Sequence, residues 1–194
     1  MQENGMKIRR KLMKKLTPER YEHTLGVAYT AVALAMRYEC DLDQAEIAGL
    51  LHDCAKQYDD STIYEMCQKY NISMSEAELK NKALLHTKLG AFIAMKKYQV
   101  ADKEIISAIL CHTTGKPDMS MLEKIVYVAD YIEPRRYKAP NLPQIRHMAF
   151  VDIDRALLMI LADTLSYLKK TGNWIDEQTV KTYDYYKALL EGED

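Results

Sequence analysis

The sequence predicts an all-α fold. Apolar residues recur at helical spacing almost throughout, glycines and prolines number only seven and five, and strand signal is slight. With 194 residues and 48% hydrophobic content, the chain can bury one substantial core. Residues 1–194 are therefore expected to form one domain, with a core at about 18–136 and C-terminal helices at about 142–191.

The basic residues near the start, Lys7, Arg9, Arg10, Lys11, Lys14 and Lys15, read as one solvated helix face. Thr17 and Pro18 supply a cap and a first helical position, opening a helix through His23 and Val27 to about Tyr38. Asp43 with Glu46, Ser75 with Glu78, and Ser120 with Glu123 each fit a capping box, in which side chains satisfy the free amides of a helix start. Asn71 and Gly172 sit where helices should stop, and Pro117 and Pro134 bracket the segment Ser120 to Glu133. Arg135 to Pro143 holds two prolines and no apolar periodicity, so an exposed loop is expected. From Leu142 to Lys170 runs a long apolar stripe of Ile145, Phe150, Ile153, Leu157, Ile160, Leu161, Leu165 and Leu168. It is expected to pack on the bundle, with a dimer interface as the alternative.

A net charge of -1, from 27 basic and 28 acidic residues, argues against a broad nucleic-acid or anionic-membrane surface. No apolar run approaches the roughly 20 residues of a membrane-spanning helix. Cys40, Cys54, Cys67 and Cys111 are far apart, with no CxxC pair and no signal peptide before them. They read as reduced thiols in a cytoplasmic protein.

Chemistry is concentrated in four of the five histidines: His23, His52, His86 and His112. Each has a glycine about one helical turn away, which would admit another backbone or a bulky ligand. His52-Asp53 follows the apolar pair Leu50-Leu51, with Lys56 one turn later on the same expected helix. Asp130 interrupts a nearly continuous apolar run from Ile125 to Ile132. Burying such groups is costly unless they are hydrogen-bonded or bound to a cation, and a metal would remove the penalty. Taken singly, each is an ordinary satisfied polar group; taken together, His23, His52, Asp53, His86, His112 and Asp130 favour a metal site. Imidazoles with carboxylates suit iron, manganese, cobalt or zinc, and a bridging aspartate would let two ions share the site. No HExxH, zinc-type cysteine pairing, dinucleotide glycine pattern or nucleophile elbow is present, and Gly115-Lys116 lacks the rest of a P-loop. His147 is given no role.

The ordered set His23, His52-Asp53, His86, His112, Asp130 resembles the HD domain of metal-dependent phosphohydrolases. Four strings are similar, more narrowly, to the YqeK family: Arg20 to Val27, Ala48 to Lys56, His112 to Gly115, and Met119 to Arg136. The resemblance implies an HD-type helical bundle, usually a homodimer, that splits diadenosine tetraphosphate symmetrically into two ADP with non-haem iron. It implies that His23, His52, Asp53 and Asp130 hold the principal metal, with Asp53 able to bridge to a second ion. His86 and His112 would then bind that ion or the substrate's phosphate oxygens. Thr113 and Arg136 would contact nucleotide phosphate, where His23 and Asp130 also face the substrate. Catalysis is expected from a metal-activated water, with Asp53, Lys56, His86 and His112 as the participating side chains. Arg136 alternatively reads as a solvated loop residue. The competing functions are an HD phosphohydrolase acting on another nucleotide, and a non-catalytic nucleotide-sensing module.

Overall fold

A computed structural model of the chain describes residues 2–139 and 141–192. Eleven α-helices account for nearly all regular structure among them: α1 (Gln2–Met13), α2 (Pro18–Arg37), α3 (Leu42–Leu51), α4 (Asp60–Lys69), α5 (Glu76–Lys80), α6 (Leu85–Lys97), α7 (Lys103–Cys111), α8 (Met121–Ile132), α9 (Leu142–Ala149), α10 (Ile153–Thr171) and α11 (Glu177–Glu191). A 3-10 turn, Lys82–Leu84, precedes α6.

The expected starts at Thr17, Ser75 and Ser120 are helix caps, the latter two with both hydrogen bonds of the capping box. Asn71 follows α4 with φ +54°, and Gly172 ends α10 with φ +69°. The proposed box at Asp43 is corrected. α3 starts two residues earlier, where Asp41 accepts from the Gln44 amide, while Glu46 pairs with Arg9 of α1. The loop from Arg135 is also shorter than expected, because Leu142 and Pro143 already open α9. The stripe beyond it is two helices, since Asp152 caps a new start and leaves Phe150 exposed between them.

Helix α2 packs chiefly on α3 and is crossed by α8, while α7 lies against α6 and α8. The α2–α3 approach is close because Gly49 has no side chain: an added Cβ would stand 2.7 Å from the Cα of Ala28. Leu34, Leu50, Leu51, Ile109, Ile125 and Val126 fill the space among these helices, all fully buried. α10 packs on α8, α9 and α11, so its stripe is covered within the chain.

Candidate metal centre

Five elements bring the six polar residues together. His23 comes from α2 and Asp130 from α8, whereas His52 caps the C-terminus of α3, Asp53 follows it, His86 opens α6 and His112 caps α7. Lys56 is not on a helix, as the sequence suggested, but in a run of tight turns beyond α3. These placements follow from helix chemistry. The last carbonyls of a helix lack amide partners, and the imidazoles of His52 and His112 meet them three residues back, at Gly49 (2.7 Å) and Ile109 (2.8 Å). His86 repeats the contact with the carbonyl of Ala83 in the 3-10 turn.

In each case the bonded atom is Nδ1, which must donate because a carbonyl can only accept. The Nδ1 of His23 likewise faces Glu133 Oε1 at 3.1 Å. All four imidazoles are thereby held in the tautomer that leaves Nε2 a bare lone pair, and all four Nε2 atoms point inward. A partner on the far ring nitrogen is how proteins orient metal-binding histidines.

Asp53 sits between two groups of these nitrogens. Its Oδ2 lies 3.5 Å from His52 Nε2 and 3.9 Å from His23 Nε2, and Asp130 Oδ1 is 3.2 Å from His23 and 3.9 Å from His52. Its Oδ1 lies 3.4 Å from His86 Nε2 and 3.5 Å from His112 Nε2, which are themselves 3.2 Å apart. Donor atoms around an ion at about 2.0–2.2 Å stand about 3 to 3.5 Å from one another. His23, His52 and Asp130 could hold one ion, and His52, Asp53 and His112 offer a second combination. The Nε2 atoms of His23 and His52 are buried with no hydrogen-bond partner, and two lone pairs facing at 3.2 Å repel. A cation among them removes both penalties, so the residues fit the divalent metal that an HD domain implies.

Ion pairs surround this floor. Arg20 reaches Asp53 Oδ2 at 2.8 Å, Lys56 reaches Oδ1 at 3.1 Å, and Arg136 reaches Asp130 Oδ1 at 2.7 Å. Burial works against ionisation of Asp53, and the cations on its two oxygens, Lys56 and Arg20, favour the charged form. Burial opposes Asp130 in the same way, and Arg136 favours its charged form. Burial, aided by the charge of Lys56, pushes His86 down to about 3, so its imidazole is neutral at physiological pH. Thr113 Oγ1 stands 3.3 Å from His86 Nε2. His147 is exposed on α9, away from the set. Burial pushes Cys54 and Cys111 up to about 12, which argues against a thiolate nucleophile.

Two residues escaped the sequence reading. Glu133 is buried, accepts the His23 proton with one oxygen and the Arg135 amide with the other, and fills the space that Gly26 leaves. The glycine beside His23 thus admits this carboxylate, not a ligand. Arg146 of α9 fixes the turn carrying Glu133 and Arg136 by donating to the carbonyls of Ile132, Glu133 and Arg136 at 2.9 Å each. Arg20 opens the Arg20 to Val27 string, and only the fold brings it to Asp53. The signals were there: Arg20 precedes His23 by three residues and Glu133 follows Asp130 by three, so each shares a helical face with a site residue.

The HD domain family matches residues 20–135. The symmetrical bis(5'-nucleosyl)-tetraphosphatase of Halalkalibacterium halodurans is 37% identical over 91% of this chain and 92% of its own length. The Bacillus subtilis protein of the same name is 36% identical over 88% and 90%. Among solved structures, a Clostridium acetobutylicum protein described as a predicted HD superfamily hydrolase involved in NAD metabolism superposes with a TM-score of 0.90. It is 39% identical, over 94% of this chain and 96% of that one. Matched over residues 20–135, which hold all six candidate site residues, and similar to these proteins over about nine-tenths of its length, the chain belongs to the HD domain family.

Proposed function

We propose that this chain is a metal-dependent hydrolase that cleaves diadenosine tetraphosphate symmetrically, adding one water to yield two ADP. The observation that carries the reading is the convergence of four Nε2 lone pairs on the two oxygens of Asp53, in a chain similar over about nine-tenths of its length to symmetrical tetraphosphatases. His23, His52, Asp53 and Asp130 would hold the principal ion. Asp53 Oδ1, His86 and His112 would face a second ion or the substrate's phosphate oxygens. Non-haem iron is the proposed resident, with manganese, cobalt and zinc as metals the same donors accept. A divalent ion in such a site supplies Lewis acidity, bringing the pKa of water toward about 7 and drawing charge from phosphoryl oxygens.

The chain's own side chains do the rest. Lys56, Arg136 and Arg20 place three cations on the floor and rim, where they offset negative charge that grows on the phosphoryl oxygens. Arg136 can donate two parallel hydrogen bonds to one phosphate, and the Thr113 hydroxyl stands beside His86 to donate another. Buried Nδ1 contacts keep the imidazoles from rotating, so the donors are in place before substrate arrives. Hydrolysis adds hydroxyl from water to the phosphorus of one half, and the bridging oxygen leaves as the terminal phosphate oxygen of the other.

The proposal takes residues 1–194 as one working unit, because α10 and the segment before α11 line the approaches to the core at about 18–136. It takes a homodimer as the assembly, a nucleotide as the ligand and the cytoplasm as the compartment. No described helix is long and apolar enough to cross a membrane. Metal-loaded protein incubated with diadenosine tetraphosphate, with products separated by chromatography, tests the reaction. ADP alone is the expected product; ATP with AMP would contradict the reading.

A further inference from the structure

Two clefts reach the metal centre from different sides, and neither is lined by His52, Asp53 or His112. The larger, about 980 Å³, reaches His23 and Asp130; the smaller, about 450 Å³, reaches His86 and Thr113. This is the division that Asp53 makes, with Oδ2 toward His23 and Oδ1 toward His86. Among the described residues only Arg20 and Thr164 line both clefts. Both volumes fall within the range of small-molecule sites.

Each cleft also carries aromatic surface that the metal centre does not use. Tyr167 of α10 lines the larger and is 63% exposed, while Trp174, in the segment between α10 and α11, lines the smaller and is 41% exposed. A ring beside cations is what a nucleobase stacks on when its phosphates are held nearby. The cations are present: Arg136 and Lys170 in the larger cleft, Lys56 in the smaller, and Arg20 where they meet. The Arg20 guanidinium has five donors, and Asp53 engages one nitrogen.

We propose that the clefts are paired nucleoside sites. One adenosine lies against Tyr167 in the larger and the other against Trp174 in the smaller, with Arg20 on the polyphosphate between them. This rests on the substrate proposed above and explains its symmetry. A polyphosphate held at one end can slip by one phosphate and be cut off-centre, whereas a chain gripped at both ends presents its midpoint to the metal centre. Tyr167 and Trp174 are then specificity-determining residues, supplied by the C-terminal part of the chain outside the matched HD segment.

ADP, one half of the substrate plus water, is the probe. Calorimetric titration of metal-loaded protein is expected to count two ADP per chain. Trp174 is the one tryptophan of the sequence, so its emission reports the smaller cleft alone and should change as that cleft fills. Tyr167→Ala is expected to leave one ADP per chain and to keep the emission change. Trp174→Ala is expected to leave one ADP and to raise the KM for diadenosine tetraphosphate about five- to a hundredfold, more than it lowers kcat. One ADP per chain in the unaltered protein, or emission unmoved at saturating ADP, overturns the paired sites even if the dinucleotide is cleaved to ADP. Cleavage into ATP and AMP would sink the proposed reaction, while the ADP count would still decide the clefts.

Discussion

His52 is fully buried and Asp53 is 1% exposed at the floor of the site, whereas on the rim Tyr137 is 80% and Tyr167 63% exposed. Floor residues are fixed by contacts that permit one geometry each, an imidazole proton on a carbonyl or carboxylate and a carboxylate between four nitrogens. Rim residues come from the turn after α8, from α10 and from the segment before α11, and their side chains stand largely in solvent. The difference separates two proposed roles: the floor would set what chemistry is available, and the rim which molecule receives it. Variants of the floor should therefore change metal content and turnover together, and variants of the rim should change the handling of substrate with metal content near the parent's.

His52→Ala should have the largest effect, because His52 belongs to both candidate ligand groups. Loss of even an outer hydrogen-bond partner costs about 10–100-fold in metal affinity or activity, so loss of this ligand should exceed about a hundredfold in kcat. Steady-state assays on metal-loaded protein check it. Glu133→Gln comes next, at about 10–100-fold in metal affinity, because a neutral amide supports the His23 Nδ1 proton less well than a carboxylate. Competition with a chelator measures that shift, and an unchanged affinity would move Glu133 from support of the metal to simple packing. Arg136→Ala is the rim counterpart. kcat/KM is expected to fall about tenfold, the size of one charge-assisted hydrogen bond, with bound metal within about twofold of the parent. A loss of metal equal to that of Glu133→Gln would erase the distinction between floor and rim. Ser75→Ala, at the exposed start of α5, should lower stability by about 1 kcal/mol with metal and kinetics untouched, as read by denaturant unfolding.

The same division governs what the sequence disclosed. The six floor residues stood out because polar groups in apolar helices need a reason, and the caps at Thr17, Ser75 and Ser120 stood out because their partners are local. Distant partners leave no mark in local spacing. Asp41 and Asp43 both precede an acceptable residue by three, and what separates them is Arg9 of α1, which engages Glu46. Asp152 divides the stripe that hydrophobic spacing joined, because its side chain accepts from the amides of Asp154 and Arg155. Glu133 looked like the end of a helix before Pro134, and its role depends on a histidine 110 residues away. Nothing in local spacing could place Trp174 beside His86 and Thr113, since that juxtaposition is made by the packing of the C-terminal helices.

The central claim is that Asp53, with one oxygen toward each pair of histidines, organises a metal centre on which turnover depends. Elemental analysis of purified Asp53→Ala beside the unaltered protein, paired with an assay on diadenosine tetraphosphate, tests it most directly. Bound metal and cleavage should be lost together while the helical circular dichroism signal persists. Full metal content with full turnover in Asp53→Ala would contradict it.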